Sequence, residues 1–475
     1  HRRGQLLLMS PLNWYTKDHR WGLAPGYRKD DVRRFDRRVQ EDCLACHSGR
    51  PITIAPGSNR FPEPAFLEMA IGCERCHGPG KAHIDRHRAA SPPDAGTDPI
   101  VNPAKLPADR REAVCYQCHL AAAARILRPG KDHAGFVPGM RLSDVWAVLD
   151  AGAELTEDGR TKLVNHVQQL RESHCFLNSN GTLGCVSCHD PHRVPSPDKR
   201  SDFYRTRCIA CHDSQPCTAD QTDRAHVGDA CTDCHMPRRN TTATAHAAQT
   251  DHRILRNPAE TDAADTDRGP TTLRFFDNMD RDLDPPERDR AAALGTLMYL
   301  SQKGRRIPAD LVQTLYSLVP KFPRDKLLLN ATGDAARKLG NDRAAEDCFQ
   351  RVLQIDPENE NALYGMAHLH YQQQRMSDVI AETEKLTAID PGDVSILTIR
   401  ADALNRLGKT DQAIACLRQA LTANPGLVEL RRYLADTCRR TGRSEEAAQQ
   451  EELIRRLTSA ASDKARSRPE TATSR

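Results

Sequence analysis

Six short segments carry one pattern, two cysteines three positions apart with a histidine directly after the second. They read CLACH (43–47), CERCH (73–77), CYQCH (115–119), CVSCH (185–189), CIACH (208–212) and CTDCH (231–235). One copy alone would fit half of a zinc site, a redox-active dithiol or a covalent haem. Zinc sites need matched Cys pairs with no histidine required at the next position, and a dithiol oxidoreductase needs a single motif. Six copies, each followed by histidine, predict c-type haem attachment.

Haem attachment explains the spacing within each motif. Two thiols on one turn add to the haem vinyl groups as thioethers, and the adjacent histidine binds iron from the proximal side. We therefore predict six haems, held by Cys43, Cys46, Cys73, Cys76, Cys115, Cys118, Cys185, Cys188, Cys208, Cys211, Cys231 and Cys234. The predicted proximal ligands are His47, His77, His119, His189, His212 and His235.

Histidines outside the motifs are candidates for the second axial position of each iron. Eleven of them lie within residues 1–260, more than six haems require. By their positions we prefer His83, His192, His226, His246 and His252 as distal ligands, with His1 as a further candidate. Turns after the motifs direct His83 and His192 away from their own haems, so both are expected to bind a neighbouring iron. We predict surface or supporting positions for His19, His87, His133, His166 and His174.

Composition agrees with haem as a packing element. Hydrophobic residues make up 38% and aromatic residues 5% of the 475 positions, which is low for a chain that must form several cores. The last three motifs are only 23 residues apart, so their haems are expected to be close neighbours.

Cys175 and Cys217 stand outside the motifs, and the sequence does not decide between a disulfide and buried thiols. The net charge of +4 is too small for a nucleic-acid-binding surface, and no apolar stretch is long enough to cross a membrane.

Longer stretches around the motifs resemble a known family. CHGPGKAH, SNGTLGCVSCHDPH, CIACH and CTDCHMPRRNTTATAHAAQTDHRI are similar to bacterial multihaem cytochromes of the cytochrome c-554/c-552 type, in particular to the subgroup with C-terminal tetratricopeptide repeats. The resemblance covers roughly residues 1–256, and it implies that His83 and His192 are distal ligands. Family members usually carry a further N-terminal haem motif. Since the chain begins at His1 without that motif, an initiator Met or a signal peptide, we expect a processed or truncated product.

The last part of the sequence follows a period of 34 residues. Residues in phase with one another are Pro323, Pro357, Pro391 and Pro425; Gly333, Ala367, Ala401 and Ala435; Ala345, Val379, Ala413 and Ala447; and Gly340, Gly408 and Gly442, where Gln374 is the exception. Small side chains at fixed positions let paired helices approach one another, and this period is typical of tetratricopeptide repeats. Cys348, Cys416 and Cys438 are interpreted as small core residues of these helices.

We predict a mostly α fold with irregular loops, in which a haem-packed multihaem cytochrome domain precedes an α-solenoid of tetratricopeptide repeats. The expected boundaries are 1–256 for the cytochrome domain, 257–286 for a linker, 287–460 for the repeats and 461–475 for a disordered tail. Residues 287–320 are predicted to form a degenerate helical pair that caps the repeats.

The leading functional hypothesis is an electron-transfer protein that passes electrons along six haems. We expect a periplasmic or extracellular location, because bacterial haem attachment to this motif takes place outside the cytoplasm. Its expected partners are a redox protein and a protein or peptide bound by the repeats. The alternatives are an oxidoreductase acting on a small nitrogen or sulfur oxide at one open haem, and a scaffold that the haems only stabilise. No residue is assigned as a catalytic acid or base, and the surplus of histidines argues against an open iron.

Overall fold

The computed structural model describes most of the chain and divides it into two compact units. The described residues are 1–16, 19–27, 34–89, 98–151, 154–155, 161–162, 165–213, 217–237, 250–256 and 273–466. We call the two units the repeat unit and the motif unit. The repeat unit contains His1–Gln40, Thr53–Glu63 and Pro308–Arg475. The motif unit contains Glu41–Ile52 and Pro64–Ile307, and with them all six Cys-x-x-Cys-His motifs.

Helices provide most of the regular structure, as the sequence predicts. In the first half of the chain they are α1 (Glu41–His47), α2 (Glu74–His77), α3 (Lys81–Arg88), α4 (Ala108–His119), α5 (His166–Glu172), α6 (His174–Leu177), α7 (Cys185–Cys188), α8 (Arg200–His212), α9 (Gln221–His226) and α10 (Cys231–His235). In the second half they are α11 (Pro285–Gln302), α12 (Ala309–Leu318), α13 (Lys326–Lys338), α14 (Asp342–Ile355), α15 (Glu360–Gln372), α16 (Met376–Ile389), α17 (Val394–Arg406), α18 (Thr410–Ala423), α19 (Val428–Arg440) and α20 (Ser444–Arg466).

The described strands are short and pair antiparallel. They are β1 (Arg2–Arg3), β2 (Leu6–Leu7), β3 (Leu12–Tyr15), β4 (Arg20–Leu23), β5 (Ala124–Leu127), β6 (Trp146–Asp150), β7 (Glu154–Leu155), β8 (Thr161–Lys162) and β9 (Arg274–Phe275). Three pairs, β1–β2, β3–β4 and β7–β8, form two-stranded sheets. A three-stranded sheet has the order β5-β6-β9, with Ala124 opposite Leu149 and Leu149 opposite Phe275.

Helices α13 to α20 pack as successive pairs, which confirms the predicted helical-repeat array. The two sets of small residues in phase lie at the buried faces of these helices: Gly333, Ala367, Ala401 and Ala435, and Ala345, Val379, Ala413 and Ala447. Gly340, Gly408 and Gly442 turn the chain between paired helices with φ of +77°, +73° and +74°, and Gln374 takes the same left-handed conformation at +60°. Cys348, Cys416 and Cys438 are buried in the helices, as expected for small core residues.

The N-terminal segment belongs to the same unit as the repeats. Its hairpin β1–β2 is extended by residues 37–39, since the Met9 N–H donates to the Arg37 carbonyl and the Val39 N–H donates to the Leu7 carbonyl, both at 2.8 Å. Leu6 and Phe61 are fully buried beside this hairpin. We did not predict this grouping from the sequence, because residues 1–40 and the repeats are separated by more than two hundred positions.

The core of the motif unit lies around β5 and β6. Trp146 and Val148 of β6 are buried with Phe276 and Met279, which come from the segment expected to be a linker. Helix α11 packs on the same sheet, and its Gly295 approaches Leu149 so closely that a Cβ there would lie 2.9 Å from Leu149 Cδ1. The structure therefore places α11 in the motif unit, whereas we expected it to cap the repeats.

The part of the motif unit around the last three motifs buries few side chains. Between residues 174 and 237, only Gly184 and Ala230 are buried among the residues that the structure describes. Helix α8 spans 13 residues and buries none of them. Amphipathic helices of globular proteins are normally stabilised by burying one face. No helix within the described ranges is both long enough and apolar enough to cross a membrane.

Candidate haem-binding sites

The two cysteines of every motif lie on one helical turn. The motif histidine is the last residue of its helix in α1, α2, α4, α8 and α10, and His189 directly follows α7. Side chains at positions i and i+3 of a helix lie on the same face, so the two thiols project to one side. This placement suits the attachment of one macrocycle through two thioethers, with the histidine beside it.

Three motif histidines lie opposite histidines from outside the motifs. The ring centroids are 5.9 Å apart in His77–His192, 6.5 Å in His119–His166 and 6.3 Å in His189–His252. An imidazole nitrogen binds a metal ion at about 2 Å, so two rings on opposite sides of one ion have centroids about 6 Å apart. The three separations fit this arrangement, although ordinary ring contacts span the same range.

Hydrogen bonds from Nδ1 to backbone carbonyls fix the orientation of three histidine rings. The Nδ1–H of His77 donates to the Val101 carbonyl at 2.8 Å, and the Nδ1–H of His252 donates to the Thr250 carbonyl at 2.8 Å. In the sixth motif the Nδ1–H of His235 donates to the Leu255 carbonyl at 2.7 Å. Such bonds fix the tautomer and orient the ring, which leaves Nε2 as the nitrogen able to bind a metal.

Two of the histidine pairs meet in one cluster. The rings of His166 and His252 have centroids 4.5 Å apart and are nearly perpendicular, so the His119–His166 and His189–His252 pairs are neighbours. Burial lowers the pKa of His166 to about 4, with the nearby imidazoles acting in the same direction. Partial burial also lowers the pKa of His252. These rings are therefore neutral at pH 7, which is the form that binds metals.

We did not predict His166 as a ligand from the sequence, since we expected it at a surface or supporting position. Asn165 caps helix α5 by accepting a hydrogen bond from the Gln168 N–H, and His166 is the first residue of that helix. Nothing in the local sequence marks it, because its partner His119 is brought to it by the tertiary fold. The structure pairs two of the preferred candidates, His192 and His252, with motif histidines.

Other predicted ligands have different surroundings. The Nδ1 atom of His83 lies 2.7 Å from Asp98 Oδ1, and the Nε2 atom of His87 lies 3.0 Å from the other carboxylate oxygen. These hydrogen bonds lower the pKa of Asp98, and the three side chains together form a group that could hold a metal ion. His1 contacts the Phe35 ring. His226 is the last residue of α9, and His246 lies outside the described residues.

Thiols of different motifs lie close together. Cys208 neighbours Cys231, with Cys188 and Cys175 near them, and burial raises the pKa of Cys208 to about 11. The last three motifs are thus neighbours, as their short spacing predicts. Among the described residues no two cysteines form a disulfide, and this includes Cys175 and Cys217.

Arg125 is a buried cation beside the first and third motifs, and its surroundings indicate whether the motif unit could hold haem. Arg125 stacks on Trp146 at 3.7 Å and donates from Nη1 to the Gln117 carbonyl at 2.7 Å. Its Nε and Nη2 atoms are buried without a hydrogen-bond partner among the described residues. Burial lowers the pKa of Arg125. A buried guanidinium group requires an anionic partner, and a haem propionate is a carboxylate of the kind that arginine binds best.

The chemistry of the donor set is therefore compatible with haem on three counts. The thiol pairs have the required spacing, the imidazole pairs have the separation of axial ligands, and Arg125 offers unpaired donors for a carboxylate.

Comparisons with known proteins concern the repeats. Two models described as tetratricopeptide repeat match residues 336–403 and 400–462. The cellulose synthase operon protein C of Pseudomonas fluorescens (strain SBW25) is 29% identical over 115 residues, which are 24% of this chain and 9% of that protein. The chain thus spans about a tenth of the length of this curated relative.

Two solved structures are similar to somewhat more than a third of the chain. MamA 41-end from Desulfovibrio magneticus RS-1 is 17% identical with a TM-score of 0.34, covering 36% of this chain and 96% of that one. A crystal structure of MamA is 13% identical with a TM-score of 0.32, covering 38% and 98%. At these TM-scores the likeness carries no further conclusion. The helical pairs and the two family models identify the C-terminal part of the chain as a tetratricopeptide-repeat array.

Proposed function

We propose that the chain is a multihaem electron-transfer protein, in which the six motifs of the motif unit attach six c-type haems. The observation that supports this most directly is the set of three imidazole pairs, His77–His192, His119–His166 and His189–His252. Each pair joins one motif histidine to one histidine from elsewhere in the chain. Two closer ring contacts, His166–His252 and His83–His87, join histidines that both lie outside the motifs.

In this proposal the cysteines, histidines and Arg125 of the motif unit each bind a different part of the haem. The motif cysteines would form the thioether bonds, and the paired imidazoles would take the two axial positions of three irons. The carbonyls of Val101 and Thr250 hold the rings of His77 and His252 in a fixed tautomer. Arg125 would neutralise a propionate. When bound with two imidazoles, haem supplies a one-electron redox centre without an open site for substrate.

The ligands of the other three irons remain proposals from the sequence. His83, His226, His246 and His1 are the candidates for their distal positions. The Asp98 carboxylate beside His83 Nδ1 supports the assignment of His83, since it leaves Nε2 able to bind iron. We propose a periplasmic or extracellular location, which rests on the chemistry of haem attachment and on the family resemblance.

The repeats provide the second part of the proposed function. Tetratricopeptide repeats bind proteins or peptides, so the array would recruit a partner to the haem-bearing unit. We propose that this partner exchanges electrons with the haems or delivers a protein that does.

Low-temperature electron paramagnetic resonance of the haem-loaded chain tests the proposal. We expect low-spin signals from every haem that has two imidazole ligands, including those of the second, third and fourth motifs. A high-spin signal assigned to one of these three haems would overturn the ligand pairs. A high-spin signal confined to another haem would instead favour the alternative, an oxidoreductase that binds a small nitrogen or sulfur oxide at one open iron.

A further inference from the structure

Two arginines of the N-terminal segment contact acidic residues of the repeats within the repeat unit. Residues 1–40 are strongly basic, with eight Arg and two Lys against four Asp. Arg3 Nη2 donates to Asp390 Oδ2 at 3.0 Å, and Arg38 Nη2 donates to the same oxygen at 2.9 Å. Arg3 Nε lies 2.8 Å from Asp390 Oδ1 but is not aligned for a hydrogen bond. One carboxylate thus binds two guanidinium groups.

This contact is well shielded from water. The Asp390 side chain is 2% exposed, and those of Arg3 and Arg38 are 22% and 25% exposed. Ion pairs of this kind are screened much less than pairs on an open surface. Because removal of one partner leaves a buried charge unpaired, such a contact is expected to be sensitive to substitution.

Arg38 also contacts carboxylates other than that of Asp390. Arg38 Nη1 donates to Glu360, and Arg38 Nη2 lies 3.4 Å from Asp393 Oδ2. Arg60, from residues 53–63 of the same unit, donates from Nη1 to Glu358 Oε2 at 2.9 Å. Three arginines therefore face four carboxylates.

The four carboxylates come from two successive turns between repeats. Glu358 and Glu360 stand at the start of α15, and Asp390 and Asp393 stand in the turn before α17. Acidic residues are common at helix N-termini, so their presence alone would mean little. The bound arginines are evidence of a different kind, because they show that these two turns bind guanidinium groups.

A glycine shapes the second turn around the arginine. A Cβ placed on Gly392 would lie 2.1 Å from Arg3 Nη1 and 2.6 Å from its Cζ. The corresponding glycine of the next repeat, Gly426, has only Asn424 Oδ1 near such a Cβ, at 3.7 Å. Asn424 replaces the aspartate of the preceding repeat, so the next turn lacks both the charge and the close contact.

We infer that Glu358, Glu360, Asp390 and Asp393 form an arginine-binding site of the repeat array, and that its occupant is the N-terminal segment of the same chain. We call it the inter-repeat arginine site. It anchors residues 1–40 to the repeats immediately before the first Cys-x-x-Cys-His motif begins. A protein that docks on these two turns would have to displace Arg3 and Arg38, so a partner of the repeats is expected to use a different surface.

Hydrogen exchange of the full chain, followed by mass spectrometry, tests this inference. Gly392→Leu should displace Arg3, whereas Gly426→Leu puts the same side chain into the corresponding turn of the next repeat as a matched control. We expect amide exchange in residues 2–9 and 37–39 to rise roughly tenfold or more in Gly392→Leu and to stay unchanged in Gly426→Leu.

A second variant covers the case in which Gly392→Leu perturbs the repeats themselves. The double substitution Arg3→Gln/Arg38→Gln leaves every repeat residue in place. Faster exchange in residues 2–9 and 37–39, with α13 to α20 still protected, supports the site. Unchanged exchange of those residues in the double variant overturns the inference, whatever Gly392→Leu shows.

Discussion

Helices of similar length are stabilised differently in the two units. Helix α14 of the repeat unit has 14 residues and buries Ala345, Cys348, Phe349 and Val352. Helix α8 of the motif unit has 13 residues and buries none. The repeats therefore obtain their stability from contacts between neighbouring helices, as repeat proteins do. The helices around the last three motifs bury few side chains, and α7, α8 and α10 each contain the two cysteines of one motif.

This difference indicates what each unit needs in order to fold. Helices as short as α7, α9 and α10 are unstable in water unless something packs against them. In our proposal the haem macrocycles are that packing element in the motif unit. In the repeats, the protein's own side chains form the core.

The largest expected effect follows from withholding haem. In the full chain made without the haem-attachment machinery, residues 174–237 should lose their protection against protease, because few of their side chains are buried by the protein itself. Helices α13 to α20 should stay protected. Limited proteolysis with mass spectrometry compares the two forms.

The haem-loaded chain is the control for that experiment and should resist cleavage in both regions. Equal protection of residues 174–237 with and without haem would show that the protein alone stabilises them. Packing against haem would then not explain how the helices of the motif unit are stabilised.

Replacement of His166 should alter one haem in six. His166→Ala removes the ring opposite His119 while leaving all motif cysteines intact, so haem attachment should be complete. We expect about one sixth of the haem to become high-spin or to take a new ligand, with a changed reduction potential. Electron paramagnetic resonance and a redox titration measure this. His174→Ala, at an exposed position of α6, is the matched control and should match the parent chain.

In the repeat unit, an added methyl group at Gly365 should destabilise the array. A Cβ there would lie 2.3 Å from Phe349 Cζ, and Phe349 also packs against Gly333. Overpacking of a core costs about 1–3 kcal/mol, which exceeds the gain of roughly 1 kcal/mol from alanine's helix propensity. Urea-dependent proteolysis of Gly365→Ala, read on peptides of α13 to α16, gives the change in unfolding free energy. A midpoint equal to that of the parent would contradict the tight packing around Phe349.

The smallest predicted effect is a gain in stability at Gln374. This residue holds φ at +60°, where the other repeats have glycine. Gln374→Gly should raise the unfolding free energy by about 0.5–1 kcal/mol, because glycine adopts the left-handed conformation without strain. Gln373→Gly, whose φ is −80°, should instead lower it. A loss of stability in Gln374→Gly would show that its hydrogen bond from Arg406 matters more than the backbone strain.

The 34-residue period predicted much of the repeat array, whereas the haem attachment predicted from the repeated motif stays a prediction. The positions of Ala367 and Ala401 in a 34-residue period predict buried helix contacts, because these contacts are made between adjacent repeats. His166 and Arg125 could not be found in this way, since their partners are distant in sequence and are fixed by the tertiary fold. The docking of Arg3 on Asp390 is of the same kind, as it joins residues almost four hundred positions apart.

The central claim is that the six motifs hold six covalent haems. Intact-protein mass spectrometry of the denatured chain, produced together with the haem-attachment machinery, measures this directly because thioether bonds survive denaturation. We predict a mass that exceeds that of the polypeptide by six haem groups. A mass with four or fewer, or a chain whose motif cysteines all remain free thiols, would contradict the claim.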